Sequence, residues 1–408
     1  MLQEPTPFVQ EALLRIFAEQ YSDEGITLVV FLTDEARKRN WVSQRHFEEA
    51  NFEKGLRERL QELQQQYGGR IAVKSRCVPK GEREEEIWEI FEAIEAAVER
   101  DDRVVLDITH SFRYLPMLMV VALHYSRFLK ENVQIERILY GAMEALGAPG
   151  EVAQMPVEKR IVPIFDLTIL VSLLDWSIAI EQFLQTGNAA MLRDLSGEQL
   201  KRWLAPTKGQ LGGKLRGLTE ALAAFSEAVV TCRGPQIRPV VEKVATVLPE
   251  AKQELELLPP FKPLFGRIQD RFTKMDLGDE VCTHIEVAQW CADRGLIQQG
   301  LTILREAMVN AVIDRVLQQP DKLDDKAYRD DAECILNAHK CERSDELLAG
   351  RSYDVDLTTL RDLWRQITEY RNDINHAGWG RHNKHAAERF KKDLPKFVSK
   401  MRQLLCET

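Results

Sequence analysis

The sequence predicts a Rossmann-like α/β domain over residues 1–165, followed by an all-helical domain over residues 166–408. A chain of 408 residues exceeds one ordinary hydrophobic core, so two domains are expected. Short β-rich runs alternate with longer helical patterns in the first part, and the strand pattern stops after about Pro163. Such alternation predicts a parallel sheet with right-handed crossovers.

Strands and helices of the first domain are expected in strict alternation. Ile26–Leu32 (ITLVVFL) is nearly all apolar, as in a strand that is buried on both faces. The other expected strands are Ile71–Val78, Arg103–Ile108 and Gln134–Tyr140. Apolar residues at helical spacing predict the helices His46–Tyr67, Glu84–Arg100 and Pro116–Lys130.

Helical spacing dominates the second domain. The expected helices are Leu167–Thr186, Leu215–Val230, Val240–Leu258 with an interruption at Pro249, His284–Leu317, Leu357–Ile374 and Lys384–Leu405. Trp176, Trp290 and Trp364 lie within these patterns, so we expect them in the core rather than on a base-stacking surface.

Composition and charge exclude some classes of function. Apolar residues make up 44% and charged residues 29%, which is typical of a globular protein. The net charge of −9 argues against a general nucleic-acid binder. From Arg381 onward, however, eight Lys or Arg residues face three Asp or Glu residues, and this basic region suits brief contact with a polyanion.

The cysteines and the apolar runs predict a cytoplasmic protein that does not span a membrane. Seven scattered cysteines without a CxxC pair, and no secretory signal, predict free thiols in a reducing compartment. The longest apolar run, Leu115–Leu123, is much shorter than the roughly 20 residues that cross a bilayer. Cys334, His339 and Cys341 match no usual zinc spacing, so we predict no metal site.

A polar cluster follows the third expected strand. Thr109, His110, Ser111 and Arg113 lie where a buried strand leads into a helix, and ligands of open α/β sheets bind at the carboxyl ends of strands. Hydroxyl groups, a helix N-terminus and an arginine suit an anion such as phosphate. The alternative is that Thr109 or Ser111 only caps the helix. A hydrolytic triad with Asp107 is disfavoured because no GxSxG elbow surrounds the serine.

Three motifs resemble the CRISPR-associated CARF sensors of the DxTHG type. They are Asp107-Ile108-Thr109-His110 with Arg113, then Ile138-Leu139-Tyr140-Gly141-Ala142, and Leu174-Asp175-Trp176. The resemblance implies a homodimer that binds cyclic oligoadenylate, the messenger made by type III CRISPR complexes. It places Thr109, His110, Ser111 and Arg113 at the ligand, and it adds Thr33, Tyr140, Gly141 and Ala142 as further candidates.

The sequence departs from the CARF pattern in two places. Ser111 stands where the pattern has glycine. The family also has a strand and a glycine-rich turn before a helix that resembles Pro7–Gln20, and the sequence begins at that helix. Either translation starts further upstream, or the sheet lacks its first strand.

Arg371-Asn372-Asp373-Ile374-Asn375-His376 ends an expected helix of the second domain. An arginine stabilises charge on a phosphorane, and a histidine with a reference pKa near 6.5 moves protons at neutral pH. They suit RNA cleavage by the ribose 2′-OH, without a metal, with Asn372 orienting either group. Five helical steps separate Arg371 and His376 by about 140°, so one of them is expected at a frayed end. Alternatively, Arg371 pairs with Glu369 or Asp373, and His376 only ends the helix.

The Arg-Asn-x-x-x-His motif on an all-helical half resembles a HEPN ribonuclease domain. The resemblance implies a homodimer, or a higher oligomer, whose two motifs share one cleft. It makes Arg371, Asn372 and His376 the catalytic residues of a metal-independent endoribonuclease that cuts single-stranded RNA. Cyclic oligoadenylate is then the allosteric activator, and no cofactor is required. Two alternatives remain: a non-catalytic ligand-binding regulator, and a phosphodiesterase that degrades the messenger at Thr109, His110 and Ser111.

Overall fold

The computed structural model describes residues 6–42, 54–110, 114–204, 213–254, 259–275, 277–379 and 385–407. The chain divides into two compact units, Met1–Ser172 and Leu173–Thr408. The division falls a few residues after the predicted boundary because Leu167 and Val171 pack into the core of the first unit.

The described strands of the first unit form two sheets. Strands β1 (Ile26–Leu32) and β2 (Ile71–Cys77) are parallel, and β3 (Arg103–Asp107) pairs in parallel with β4 (Gln134–Gly141). These four strands confirm the predicted ones to within a residue. Among the described residues no strand joins β1 to β3, so the β1–β2 sheet is separate from the sheet of β3 and β4.

A fifth strand corrects the prediction that strands stop at Pro163. Strand β5 (Ile164–Asp166) pairs antiparallel with β4, so the second sheet is mixed rather than purely parallel. It escapes sequence reasoning because three residues are too few to show an alternating pattern, and all three are exposed.

Helices cover both sheets of the first unit. They are α1 (Val9–Gln20), α2 (Asp34–Ala36), α3 (Leu56–Gln66), α4 (Glu84–Glu95), α5 (Leu115–Leu129) and α6 (Pro149–Gln154). Helix α3 packs its buried Leu60 and Leu63 against the β1–β2 sheet. Helices α4 and α5 pack against β3 and β4. The predicted helix His46–Tyr67 is confirmed only from Leu56 onward, and residues 43–53 lie outside the described part of the chain.

Helix α5 keeps a wide apolar surface outside the core. Met117, Val121 and Phe128 are 74%, 59% and 89% exposed. The opposite side of the helix buries Ala122 and Leu123 completely or nearly so. An apolar stripe of this kind on a helix surface usually marks a contact with another molecule.

The second unit is helical throughout its described residues. Helix α7 (Thr168–Thr186) begins before the division and is followed by α8 (Ala190–Leu204), α9 (Gly213–Val230), α10 (Gly234–Glu254), α11 (Lys262–Phe272), α12 (Glu280–Asp293), α13 (Ile297–Ala311), α14 (Lys326–Leu336), α15 (Ser344–Leu348), α16 (Leu357–Asn375) and α17 (Ala387–Leu405). Its core contains Trp176, Trp290 and Trp364, each at most 2% exposed, which confirms the prediction that these side chains are buried.

Several helix bounds differ from the prediction by a few residues: Glu84–Arg100 ends at Glu95, and Val240–Leu258 extends over Gly234–Glu254. Two predicted continuities are also wrong. His284–Leu317 is not one helix, because the chain turns between α12 and α13 at Gly295, whose φ is 70°. Helix α10 continues through Pro249 instead of breaking there. A proline inside a helix costs about 3 kcal/mol, and burial of Val244 and Leu248 on the same helix offsets that cost.

The prediction of free thiols is wrong for four of the seven cysteines. Cys282 is joined to Cys406, and Cys334 is joined to Cys341. The first disulfide ties the start of α12 to the end of α17 across 124 residues, so linear spacing does not reveal it. Among the described residues, the remaining thiols are Cys77, Cys232 and Cys291. No helix in the described ranges is long and apolar enough to cross a bilayer.

Candidate functional sites

The carboxyl end of β3 is held by a compact hydrogen-bonded arrangement, which we call the β3 clip (Asp107, Thr109 and Gly141). The Thr109 hydroxyl donates to Asp107 Oδ1 at 2.6 Å and accepts from the backbone N–H of Gly141 at 2.8 Å. The Thr109 backbone N–H also donates to Asp107 Oδ1, at 3.0 Å. Gln10 on α1 donates to the other carboxylate oxygen at 2.9 Å. The clip therefore ties β3 to the end of β4.

The same arrangement recurs at β5. The Thr168 backbone N–H donates to Asp166 Oδ1 at 3.0 Å, and the Thr168 hydroxyl donates to the same oxygen. That hydroxyl also accepts from the backbone N–H of Ile138 on β4, at 3.0 Å. Two Asp-x-Thr segments thus fasten the strands on either side of β4. This repetition indicates that Asp107 and Thr109 have a structural role whatever ligand binds nearby.

The predicted ligand residues near β3 have different environments. The N-cap of α5 is Tyr114, so Thr109 caps no helix among the described residues, and its hydroxyl is engaged on both sides. His110 follows it and is exposed. Ser111 and Arg113 lie outside the described residues. Within the described part, His110 is therefore the member of this cluster whose side chain is open to a ligand.

Gly141 and its neighbours complete the end of β4. A Cβ on Gly141 would lie 3.2 Å from both the Thr109 hydroxyl and a methyl group of Val9 on α1, so a larger residue would push these two neighbours away by a few tenths of an ångström. Ala142 is 2% exposed, and its backbone N–H donates to Pro163 O at 3.0 Å. The Tyr140 hydroxyl donates to Glu144, which raises the pKa of Tyr140. The backbone N–H groups of Gly141 and Ala142 thus tie the end of β4 to Thr109 and Pro163.

Thr33 lies at the end of β1, where it caps α2. Its hydroxyl accepts from the backbone N–H of Ala36 at 3.3 Å, and no hydrogen bond among the described residues links it to Thr109 or Gly141. Sequence reasoning missed Lys80, after β2. The Tyr114 hydroxyl donates to Lys80 O at 2.6 Å, and the Lys80 ammonium lies 3.6 Å from Glu35. A single lysine in a loop carries no sequence signal, but here its backbone carbonyl meets Tyr114, the residue before α5, and its ammonium group lies beside Glu35 of α2.

The second candidate site lies at the end of α16. This helix starts at an N-cap, Asp356, whose carboxylate accepts from the backbone N–H groups of Thr358 and Thr359. It ends at Asn375, with His376 as its C-cap. Ala377 and Gly378 then adopt left-handed conformations, with φ of 51° and 71°. The prediction that one member of the Arg371/His376 pair lies at the helix end is confirmed.

Arg371 and His376 are both accessible, to different degrees. Arg371 is half-buried, and His376 and Asn372 are exposed. Arg371 Nη1 donates to Asn372 Oδ1 at 3.4 Å, a long contact. Among the described residues Arg371 forms no ion pair, and its buried Nε has no hydrogen-bond acceptor. The alternative in which Arg371 pairs with Glu369 or Asp373 is therefore not found among the described residues.

The positive charge of Arg371 acts on the pKa of the Cys232 thiol. Burial raises the pKa of the Cys232 thiol, while a hydrogen bond with Thr302 and the positive charge of Arg371 oppose that rise. The turn after α9 is therefore near the guanidinium group. Asn375, in the same motif, accepts from Gln298 on α13 at 3.2 Å.

Asp373, inside the motif, binds the segment that precedes α17. Its Oδ2 accepts from the backbone N–H of His385 at 2.8 Å and lies 3.1 Å from His385 Nδ1. The His385 ring packs on Tyr370, with 4.1 Å between ring centroids. The Tyr370 hydroxyl donates to Asp393 at 2.6 Å, and burial is the main cause that raises the pKa of Tyr370 to about 12. The neighbours of Arg371 thus anchor α16 to α17.

Metal ligands are not clustered in the part of the chain that the structure describes: it contains no group of three His, Cys, Asp or Glu residues placed to hold an ion. Cys334 and Cys341 bond to each other. Each of the two candidate sites lies within its own unit.

Two segments of the chain match known protein families, one in each unit. Residues 5–144 match the CARF domain of the CRISPR system endoribonuclease Csx1. Residues 172–280 match the second domain of the CRISPR-associated protein MJ1674. The MJ1674 protein of Methanocaldococcus jannaschii is 24% identical over 315 residues, which cover 74% of this chain. The matched region is 42% of that relative's length.

Residues 5–144 of the first unit therefore resemble a CARF domain, and the strands of this unit form one parallel and one mixed sheet. Together the matches make the chain similar to CRISPR-associated proteins that contain a CARF domain. The motif Arg371–His376 lies beyond both segments that match a family, so its role rests on its own chemistry.

Proposed function

We propose that this chain is a cyclic-oligoadenylate-activated endoribonuclease that cuts single-stranded RNA in type III CRISPR defence in the cytoplasm. The likeness of the first unit to the CARF domain of an endoribonuclease supports the sensing half. The catalytic half belongs to a HEPN type in this proposal, with Arg371, Asn372 and His376 as its catalytic residues. No cofactor is needed, because the two side chains supply charge stabilisation and proton transfer.

The observation that carries the proposal is an arginine without an anionic partner beside an exposed histidine. Arg371 makes no ion pair within the described ranges, and its Nε is buried without an acceptor. A buried donor with no acceptor costs about 1–3 kcal/mol. A structural arginine in a net acidic chain would be expected to bind a carboxylate, whereas a phosphate-binding one keeps its donors for the substrate.

The reaction proceeds through the RNA's own 2′-hydroxyl group. His376 takes the 2′-OH proton while the 2′ oxygen bonds to the adjacent phosphorus. Arg371 stabilises the negative charge of the phosphorane. The bond to the 5′ oxygen then breaks, and a histidine returns a proton to that oxygen. The products are a 2′,3′-cyclic phosphate and a 5′-hydroxyl end, so no water is consumed.

The proposed enzyme is a homodimer. The exposed stripe of α5 (Met117, Val121 and Phe128) is the surface we assign to contact with a second copy, because a large apolar patch favours association. Ligand binding would then shift a two-state dimer toward its active form, through the helix that contains Leu174 and Phe183. A Phe128→Glu variant is expected to be monomeric by light scattering, and an unchanged mass would contradict the assignment.

The test is cleavage of a fluorescent single-stranded RNA in EDTA, with and without cyclic tetra- or hexa-adenylate. We expect cleavage that requires the ligand and falls at least 100-fold in His376→Ala and in Arg371→Ala. Both variants should bind the cyclic ligand and unfold as the parent protein does. Asn375→Ala, in the same turn, serves as a matched control.

Three outcomes would change the proposal. Full activity in both variants would refute the site. Ligand binding without RNA cleavage by the parent protein would favour a non-catalytic regulator. Linear adenylate products that disappear in His110→Ala would favour a messenger-degrading enzyme, although the engaged hydroxyl of Thr109 argues against that chemistry.

A further inference from the structure

The disulfide between Cys282 and Cys406 borders a cavity of the second unit. The cavity has a volume of about 570 Å³, and the two cysteines and Arg315 contribute to its lining. Access to the two ends of the bond differs, because Cys282 is only 7% exposed whereas Cys406 is half-buried. A cavity of this size admits a small organic molecule, so a thiol from solution can reach the sulfur of Cys406.

The Arg315 guanidinium group connects the two ends of the disulfide. Its Nη2 donates to the sulfur of Cys282 at 3.7 Å and lies 3.3 Å from both carboxylate oxygens of Asp279, the N-cap of α12. Its Nη1 donates to the backbone carbonyl of Leu405, the last residue of α17 and the neighbour of Cys406. The contacts with Asp279 and Leu405 do not involve sulfur, so they hold the two cysteines together when the S–S bond is open.

We propose that Cys282–Cys406 is a reversible thiol-exchange site for small cytoplasmic thiols, with Arg315 as the residue that positions its two ends. In a reducing compartment, which the proposed function implies, a disulfide rarely persists and is usually transient or redox-sensing. Exposed disulfides are the ones that exchange readily. Because this disulfide ties the start of α12 to the end of α17, its opening releases the last turn of α17. The exchange chemistry does not depend on the proposed cleavage of RNA.

The disulfide is exchanged in two steps. A thiolate of the small thiol attacks the Cys406 sulfur along the S–S axis, and a mixed disulfide forms while Cys282 leaves with the electron pair as a thiolate. Nη2 of Arg315, which lies 3.7 Å from the Cys282 sulfur in the disulfide, donates a hydrogen bond to that thiolate. A second thiolate then attacks the reagent sulfur of the mixed disulfide, so that Cys406 is released and the reductant leaves as its own disulfide. Two electrons pass to the protein, and the two cysteine thiolates take up protons from water.

Glutathione is the probe for the exchange site. The native full-length chain is equilibrated anaerobically in mixtures of reduced and oxidised glutathione, its thiols are blocked by alkylation, and each cysteine is assigned by peptide mass spectrometry. We expect the Cys282–Cys406 bond to open and to re-form as the mixture is changed, while the protein stays folded and the amides in the last turn of α17 exchange faster in the reduced form. A bond that stays closed in every mixture until denaturant is added would overturn the proposal.

Two cysteine variants test which sulfur is attacked. Cys282→Ala and Cys406→Ala both lack the disulfide, so they lose the same cross-link and differ in which thiol remains. Oxidised glutathione should label Cys406 in the first variant several times more than Cys282 in the second, because Cys282 is nearly buried. Equal labelling, or preferred labelling of Cys282, would overturn the attack on Cys406 from the cavity.

The rate at which the bond re-forms tests Arg315 as the positioning residue. Arg315→Gln loses the contacts with Asp279 and Leu405, so closure of the reduced protein in oxidised glutathione should slow roughly tenfold or more, and Arg315→Lys should restore part of the rate. Closure of Cys334–Cys341 in the same molecules is the internal control, because no arginine among the described residues contacts either of its sulfurs.

Arg402 supplies a matched control on the same two helices. Its Nε donates to Glu286 of α12 at 2.6 Å, and it contacts neither sulfur of the disulfide, so Arg402→Gln should slow closure much less than Arg315→Gln does. Unchanged closure in Arg315→Gln, or equal slowing in the two variants, would overturn the positioning role of Arg315.

Discussion

The β3 clip allows a quantitative test of what Asp107 and Thr109 do. Changing Thr109 to valine keeps the shape of the side chain and removes its hydroxyl group. The Gly141 amide then loses its acceptor at 2.8 Å, and Asp107 loses a donor at 2.6 Å. A neutral hydrogen bond contributes about 1 kcal/mol and one to a carboxylate about 1.5–3 kcal/mol. The expected destabilisation of the clip is therefore about 3 kcal/mol.

Hydrogen-exchange mass spectrometry on the intact protein measures the local stability of the β3 clip. Because 1.4 kcal/mol corresponds to a factor of ten, a loss of about 3 kcal/mol should speed exchange of the Gly141 amide roughly 100-fold. Thr109→Ser keeps the hydroxyl and should leave exchange almost unchanged. The whole-chain unfolding midpoint is a poorer measure, since two units need not unfold together.

The second Asp-x-Thr segment supplies the control. Thr168→Val removes the acceptor of the Ile138 amide, but Asp166 is exposed, so its carboxylate bond competes with water and contributes less. We expect exchange at Ile138 to rise only about tenfold. Unchanged exchange at Gly141 in Thr109→Val would refute the reasoning. A loss of cyclic-ligand binding in Thr109→Ser, with exchange intact, would show that Thr109 contacts the ligand after all.

Two further predictions concern the second unit. The Lys396 ammonium, together with the Tyr370 hydroxyl, lowers the pKa of Asp393 to about 2. An unfolded aspartate titrates near 3.9. The ionised Asp393 carboxylate therefore stabilises the fold above about pH 4, and this stabilisation is lost as the pH falls toward 2. Denaturation midpoints at pH 7 and pH 3 should therefore differ less in Asp393→Asn than in the parent protein, and an equal difference would contradict this. Thiol titration of the unreduced, denatured protein should find three free thiols. Seven titratable thiols in that experiment would exclude both disulfides. The Cys406→Ala variant should be less stable by up to about 4–5 kcal/mol by the loop-entropy relation, because the disulfide with Cys282 closes a loop of 124 residues.

Much of the fold follows from local pattern. The run Ile26–Leu32 and the three other predicted strands are found because β-branched residues and alternation are local signals. The end of α16 could also be predicted from the sequence, because a glycine follows the last helical turn. The three buried tryptophans could be assigned to the core because each lies at helical spacing among apolar residues. By contrast, β5 and the turn at Gly295 depend on which neighbours the chain meets, and their local signals are weak.

The sequence alone predicted only part of the two candidate sites. His110, Arg371 and His376 carry chemistry that their residue types reveal. The clip formed by Asp107, Thr109 and Gly141 spans two strands, so the engagement of the Thr109 hydroxyl could not be seen in sequence. The same holds for Lys80, which one hydrogen bond places beside Tyr114.

Local sequence patterns were enough to predict an α/β domain followed by a helical one, the four main strands, and an arginine and a histidine at the end of one helix. Periodicity and residue chemistry are properties of neighbouring positions, and a linear chain displays them directly. The hydrogen bonds of Thr109 across two strands, the disulfide between Cys282 and Cys406, and the lack of an ion pair at Arg371 among the described residues became visible in the folded chain. Hydrogen bonds, disulfides and charge pairing depend on distances between segments far apart in the chain, and those distances are set when the cores pack.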